Sequence, residues 1–323
     1  MSQEHSLKQA KDILMNGGVI AMPTETVYGI AASIQNQKGL REIFSIKERP
    51  FFDPLIVHIA DLEQKDQVVR EWPVLAGIFA NAFWPGPLTM VLAKSASISS
   101  LITSGLDTVG LRMPKHPIAQ RLIRECGVPL AAPSANKFGK TSPTSADHVR
   151  KSFRGENLYI LDGGPSELGL ESTVIAFGGE KEISILRPGA ITKEMLVDAA
   201  KEKNIIISVE RKESSASPGH TEHHYMPAIP LVIVKGDGGI TEKIREEICQ
   251  DFCLSREARG QELRLNENPK VAARELYAHL RDCADLGAEY IYVKRISLQE
   301  GGLWDAIWDR LGRAASKSYR NLD

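Results

Sequence analysis

Residues 22–58 constrain the fold more than any other stretch of this chain. An apolar run over 19–22 delivers the backbone to a polar, glycine-ended loop, Pro23-Thr24-Glu25-Thr26-Val27-Tyr28-Gly29. Leu40, Ile43, Phe44 and Lys47 then recur at helical spacing, and Lys47-Glu48-Arg49-Pro50 closes that helix. A residue before proline is pushed out of the helical region. Asp53-Pro54-Leu55-Ile56-Val57-His58 follows, and its continuous apolar run reads as a buried strand. Strand, loop, helix and strand in that order demand an α/β arrangement. Residues two apart in an extended segment point to one side, so Lys47 and Arg49 are expected to offer two positive charges to one polyanion. By itself a K-x-R-P run reads better as a solvated helix end.

The alternation continues along the chain. Ser6-Leu7-Lys8-Gln9 has capping-box spacing, Leu7, Ala10, Ile13 and Leu14 have helical spacing, and Gly17-Gly18 ends that helix. Helices are expected over 74–83, 117–126, 144–153 and 192–203. Strands are expected over 88–93, 109–112, 128–132, 158–161, 173–177 and 183–186. Residues 205–229 hold charged and small residues, Ser217-Pro218-Gly219 and Pro227, with little apolar period, and read as a linker. Beyond it come a strand over 231–234, helices over 241–252 and 269–286, a strand over 290–293 and a helix over 303–315. The expected organisation is a mixed-sheet α/β domain over 1–204, a linker over 205–229 and a smaller α/β domain over 230–323.

Composition limits the function classes. At 323 residues, 42% hydrophobic and 25% charged, the chain has an ordinary globular make-up. Its net charge of −1 gives no general pull toward nucleic acid or membrane, so an anion site must come from local clustering. No long uncharged apolar run predicts a membrane span, and Met1 to Ser6 lacks a signal core. Cys126, Cys249, Cys253 and Cys283 form no C-x-x-C pair, which points away from zinc ribbons and disulfide frameworks and toward a reducing cytoplasm. Cys249 and Cys253 are spaced to share a helix face as small buried groups.

Several stretches invite chemistry. Ser134 to Thr141 lies one residue from a nucleotide loop of the G-x-x-x-x-G-K-[ST] type, but serine stands at the first glycine and Pro143 interrupts the following helix. Gly236-Asp237-Gly238-Gly239 follows a strand and reads better as a turn than as a dinucleotide fingerprint. His220, His223 and His224 tempt a metal reading, yet they lie between Pro218-Gly219 and Pro227, a poor place for a stable helix. Arg112 and Arg187 lie at strand ends. Their planar forks suit a carboxylate or phosphate if a pocket contains them. His58, at the end of a buried strand, reads on its own as a satisfied core histidine.

Taken together, P-T-E-T-V-Y-G, K-x-R-P and P-L-I-V-H resemble the L-threonylcarbamoyl-AMP synthases in their two-domain YrdC-like form. Later motifs extend the resemblance nearly end to end. They are T-V-G-L-R-M-P (Thr108 to Pro114), A-P-S-A-N (Ala132 to Asn136), E-S-T-V (Glu171 to Val174), L-R-P-G (Leu186 to Gly189), S-P-G…H-Y-x-P (Ser217 to Pro227) and L-Y-A-x-L-R (Leu276 to Arg281). The resemblance implies a YrdC-like mixed twisted sheet with a smaller, Rossmann-like C-terminal domain. It implies condensation of L-threonine, bicarbonate and ATP with Mg²⁺, releasing pyrophosphate, for threonylcarbamoyl-adenosine modification of tRNA in the cytoplasm. The product would pass to a tRNA threonylcarbamoyltransferase complex. Thr26, His58, Arg112, Ser172 and the Ala132 backbone would face threonine. Lys47, Arg49, Asp53, Thr108, Ser134, Asn136, Ser142, Arg187, His224 and Tyr225 would face ATP, with Lys47 and Arg49 carrying the catalytic charge. The linker would cross the mouth of the site as a lid. His220, Thr221 and Glu222 depart from the usual aromatic or basic residues there, and Asp53 stands where the family often has asparagine.

Two rival classes remain at this stage. YrdC-like domains are also associated with double-stranded RNA, and Lys47, Arg49, Lys137 and Lys140 could line a weakly RNA-binding concavity. Hydrogenase-maturation carbamoyltransferases embed a similar domain but carry cysteine-rich zinc fingers, which this chain lacks.

Overall fold

The computed structural model describes residues 3–214, 216, 224–236, 240–296 and 299–320. The chain divides into two compact units, Met1–Phe138 with Ser142–His220, and Gly139–Thr141 with Thr221–Asp323.

In chain order the first unit contains α1 (Gln3–Met15), β1 (Ile20–Met22), β2 (Gly29–Ser33), α2 (Gln37–Lys47), β3 (Ile56–His58), α3 (Val74–Phe83), β4 (Leu88–Ala93), α4 (Ser100–Thr103), β5 (Thr108–Arg112), α5 (Pro117–Cys126), β6 (Leu130–Ala131), α6 (Ala146–Ser152), β7 (Tyr159–Ile160), β8 (Thr173–Phe177), β9 (Glu182–Arg187), α7 (Lys193–Lys201) and β10 (Ser208–Arg211). One mixed sheet runs β10-β9-β8-β4-β5-β3-β6-β2-β1-β7 among the described residues. It is buried on both faces, with the period of two that strands impose. Ala21 and Ile30 enter a core with Leu40, Ile43, Leu75 and Phe79, whereas Ile20, Met22 and Ala31 enter another with Leu7, Leu14 and Leu122. Local chemistry sets the helix ends. Asn36 accepts the Lys38 and Gly39 N–H groups at the start of α2. Pro117 opens α5, and Gly127 closes it in the left-handed conformation.

Three readings need correction here. α1 starts at Gln3, so Ser6 lies inside the helix and is not its N-cap. β2 (Gly-Ile-Ala-Ala-Ser) is poor in strand-forming residues and was missed; antiparallel pairing to β1 and β6 makes it a strand. The linker begins with β10, which pairs in parallel with β9 and buries Val209. Its polar Ser-Val-Glu-Arg sequence hides the strand. As Pro143 implied, no helix follows Thr141 until Ala146, and Ser134 to Thr141 is not a phosphate loop opening a helix.

The second unit contains β11 (Leu231–Lys235), α8 (Glu242–Asp251), β12 (Gly260–Glu262), α9 (Pro269–Asp285), β13 (Tyr290–Arg295), α10 (Leu303–Ala314) and β14 (Lys317–Arg320). Its sheet, β12-β13-β11-β14, is parallel throughout, and β12 and β14 were not foreseen. Gly139–Thr141 is woven into this unit: Thr141 N–H donates to the Met226 carbonyl and Met226 N–H to the Gly139 carbonyl. Thr141 Oγ1 donates to the Tyr225 carbonyl at 3.1 Å, and Arg281 donates to the Thr141 carbonyl. Cys249 is buried on α8, but Cys253 lies past its end at φ +52° and is exposed, so the two share no face. Residues 217–223 and 237–239 lie outside the described residues, and with them His220, Thr221, Glu222, His223 and most of the glycine-rich turn.

Candidate active site

The first unit gathers most of the foreseen residues around the three-residue strand β3. Before its start lie Asp53 and Pro54; at its end stands His58. β5 runs parallel to it with Ile56 opposite Gly110 and His58 opposite Arg112. β6 runs antiparallel to it with Val57 opposite Ala131.

Arg112 organises the end of β3. It is buried, and its guanidinium makes three hydrogen bonds. Nη1 donates to Thr26 Oγ1 at 2.9 Å, Nη2 to Glu25 Oε1 at 2.7 Å, and Nε to the Gly86 carbonyl at 3.3 Å. A Cβ on Gly86 would lie 2.3 Å from the Phe83 carbonyl oxygen, so this turn requires glycine to deliver that carbonyl. Thr24 fixes the loop from within. Its hydroxyl donates to the Val27 carbonyl, so the 2.8 Å contact between Thr24 and Thr26 has the Thr26 hydroxyl donating. Burial first, then the Arg112 charge, pushes His58 down to about 3, which keeps the ring neutral. His58 Nδ1 and Glu25 Oε2 are buried without a hydrogen-bond partner. In native proteins such atoms mark water or ligand positions.

Ser172, just ahead of β8, belongs to the same end. Its hydroxyl shares a 2.7 Å hydrogen bond with Thr89 Oγ1 and accepts from Arg187 Nη2 at 3.2 Å, while Arg187 Nε donates to its carbonyl. Beside it, Ser142 donates to Glu171 Oε1 at 2.6 Å. Arg187 and Ser142, foreseen at the nucleotide, therefore sit with Ser172. Ala132 uses its N–H on the Ile56 carbonyl within the sheet, so of its backbone only the carbonyl can face a ligand.

The start of β3 holds the other group. Lys47 is the last residue of α2 and is buried; its Nζ donates to the carbonyls of Ser134 and Asn136. Burial, then the Arg49 charge, holds its ammonium well below the ordinary lysine range. Arg49 donates through Nε to the Asp53 carbonyl and through Nη2 to the Pro54 carbonyl, and Nη2 lies 2.9 Å from Asp53 Oδ2. Neither Asp53 carboxylate oxygen accepts a hydrogen bond. Thr108 opens β5 on this side, two residues before Gly110.

The expected parallel display of Lys47 and Arg49 does not occur. Glu48 between them adopts φ +53° as the left-handed cap of α2, with Arg49 N–H donating to the Phe44 carbonyl. The backbone reverses there, and the two cations serve different partners. Of the four cations suggested for an RNA-binding concavity, Lys47 and Arg49 are buried, and Lys137 is paired with Glu48 and Glu156.

His224 and Tyr225 belong to the second unit. His224 N–H donates to the Arg313 carbonyl, and the Tyr225 ring stacks 5.9 Å from Tyr277 and 5.2 Å from the Arg310 guanidinium. The sequence reading missed Glu25, Gly86, Thr89 and Glu171. Glu25 alone carried a signal, an acid set between two threonines in a loop bounded by apolar strands. Among the described residues there is no cluster of three or more His, Cys, Asp or Glu side chains suited to a metal. No described helix is long and apolar enough to cross a membrane.

Comparison with known proteins agrees with this architecture. The telomere recombination family model, covering the Sua5, YciO and YrdC proteins, matches residues 12–189. The model of the threonylcarbamoyl-AMP synthase C-terminal domain matches residues 191–316. The threonylcarbamoyl-AMP synthase of Pyrococcus abyssi is 36% identical over 97% of this chain and 95% of its own length. That of Bacillus subtilis is 42% identical over 73% of this chain and 68% of its own. A crystal structure of P. abyssi Sua5 complexed with L-threonine superposes with a TM-score of 0.85 at 33% identity, over 99% of this chain and 97% of that one. The chain is thus a member of the Sua5/YciO/YrdC family, in the two-domain form that carries the threonylcarbamoyl-AMP synthase C-terminal domain.

Proposed function

We propose that this chain joins L-threonine, bicarbonate and ATP to give L-threonylcarbamoyl-AMP and pyrophosphate, a nucleotidyl transfer that supplies threonylcarbamoyl-adenosine modification of tRNA in the cytoplasm. The observation that carries this reading is the buried Arg112 fork with Thr26 and the neutral His58 beside it, in a chain that follows a threonine-bound relative over nearly its whole length. Threonine's amine and bicarbonate form a carbamate, whose carboxylate attacks the α-phosphorus of ATP. Such chemistry requires positioning and charge neutralisation more than covalent help. Buried cations, hydroxyls and oriented carbonyls fit that requirement.

In this reading residues 1–204, extended by β10, supply the ligands. Thr26, His58, Arg112, Ser172 and the Ala132 carbonyl hold threonine. Lys47, Arg49, Asp53, Thr108, Ser134, Asn136, Ser142 and Arg187 hold the nucleotide. Asp53 fits a magnesium ion arriving with ATP, because its buried carboxylate has acceptor capacity left over. The ion, when bound, neutralises phosphate charge. The product is a mixed anhydride and passes to a tRNA-modifying transferase complex.

The test is synthesis from ATP, Mg²⁺, labelled bicarbonate and a panel of amino acids, read as labelled adenylate and pyrophosphate. Threonine should lead, serine should follow, and valine should trail, because a site that binds a hydroxyl rejects an analogue lacking it more firmly than one lacking a methyl group. Equal product from the three amino acids would remove threonine as the substrate.

A further inference from the structure

Glu25 has no role in the reading above, yet it is among the most buried charges of the first unit, 2% exposed. One carboxylate oxygen, Oε1, accepts from Arg112 Nη2 at 2.7 Å; the other, Oε2, has no partner. A carboxylate present only to steady an arginine has no reason to leave an oxygen buried and unbonded, since that costs its desolvation without return.

The surrounding donors and acceptors define what chemistry fits beside it. A guanidinium has five N–H groups, and Arg112 commits three of them, to Gly86, Thr26 and Glu25. Two N–H donors remain for an incoming carboxylate. Thr26 uses its only proton on Thr24 and one lone pair on Arg112, so it offers an acceptor and no donor. Glu25 Oε2 also offers an acceptor. Two donors beside two acceptors, one of them anionic, complement a group negative at one end and a multiple N–H donor at the other. An α-amino acid has that form, its carboxylate and ammonium separated by a single carbon. His58, opposite Arg112 in the register and neutral, adds no competing positive charge at the ammonium end.

We propose that Glu25 is a catalytic residue, which binds the substrate ammonium through Oε2 and takes the proton that must leave before nitrogen can attack bicarbonate. This rests on the synthase reading above. The carboxylate accepts one proton from the ammonium, which frees the nitrogen lone pair. Nitrogen forms a bond to the bicarbonate carbon, one carbon–oxygen bond breaks, and the departing hydroxide leaves as water with a second proton from nitrogen. The products are the carbamate, water and protonated Glu25, which then releases its proton to solvent. Atoms and charge balance without oxidant or reductant.

Glu25→Gln keeps an oxygen for Arg112 and removes the base. General base catalysis typically contributes about 10²–10⁴-fold. Forward synthesis at neutral pH should therefore fall by at least about a hundredfold. It should recover as pH rises and solvent takes the ammonium proton, a rise the native chain should not show. The reverse partial reaction, formation of ATP from pyrophosphate and freshly made threonylcarbamoyl-AMP, bypasses the amine and should fall far less. Forward and reverse rates falling together without alkaline recovery would reduce Glu25 to a positioning residue. Neither falling would leave it without a role. If the amide variant lacks a melting transition, Glu25→Asp is judged by the same forward-to-reverse ratio. A native chain that makes no threonine-dependent pyrophosphate would instead overturn the synthase reading, whatever the variants do.

Discussion

His58 and Arg112 face each other in register on the parallel strands β3 and β5, and the arginine's charge adds to burial in keeping the imidazole neutral. The folded value of about 3 lies below the ordinary 6.5, so the unfolded chain binds the proton more readily. The stabilisation is complete above 6.5 and is lost as pH falls toward 3. The slope from one such group is about 1.4 kcal/mol per pH unit. Urea unfolding at pH 7.5, 6 and 5 should show stability falling by ~2 kcal/mol over this interval. His58→Gln should flatten most of that loss, and an unchanged slope in the variant would assign the loss to other groups.

Arg49 is inside the protein, and this changes what its removal does. Arg49→Ala removes the paired cation of the fully buried Asp53, leaving it only the Lys47 charge nearby, and frees two carbonyls. Breaking a buried pair from one side typically costs about 3–5 kcal/mol. The variant should melt well below the native chain as well as bind ATP poorly. A large loss of ATP affinity with an unaltered urea midpoint would contradict the buried pairing.

Lys47 should behave differently. Its ammonium bridges the Ser134 and Asn136 carbonyls, so Lys47→Ala strands two acceptors in the loop that follows β6. A loss of about 1–3 kcal/mol in stability is expected. Calorimetric titration should show ATP affinity weakened by roughly ten- to a hundredfold, the equivalent of one charge-assisted contact. Retention of both quantities would return Lys47 to a purely local role.

Ser172 and Thr89 should be energetically coupled. Ser172→Ala removes the hydroxyl shared with Thr89, leaving a buried hydroxyl unpaired at a cost of about 1–3 kcal/mol. Thr89→Val in the same background removes that orphan, and the double variant should be less destabilised than the sum of the singles. Additive losses would show that the 2.7 Å contact contributes little.

Much of the fold was legible because its long elements carry strong periodicity: 74–83, 88–93, 117–126 and 173–177 were expected within the bounds observed. What escaped was local sequence overruled by pairing. Gly29–Ser33 is built of small residues, and Ser208–Arg211 is mostly polar, yet both are strands because neighbouring strands saturate their backbones. The foreseen site residues fall mostly around β3, but their directions did not follow from spacing. One left-handed residue, Glu48, separates Lys47 from Arg49, and no rule of alternation survives such a reversal. Glu25 and Thr89 escaped because their partners, Arg112 and Ser172, are more than eighty positions away in the chain.

The placing of Gly139–Thr141 in the second unit has a consequence for how the protein is made. These residues leave the ribosome long before Tyr225 and Met226, the backbone groups they bond. During that interval the nascent chain must hold a short stretch in waiting while the first unit assembles. The second unit cannot be completed by its C-terminal sequence alone. A fragment beginning after residue 204 would emerge without three residues of its own structure, and one ending there would carry them unmatched. Synthesis order and domain order therefore disagree at one place in the chain, the turn between Phe138 and Ser142.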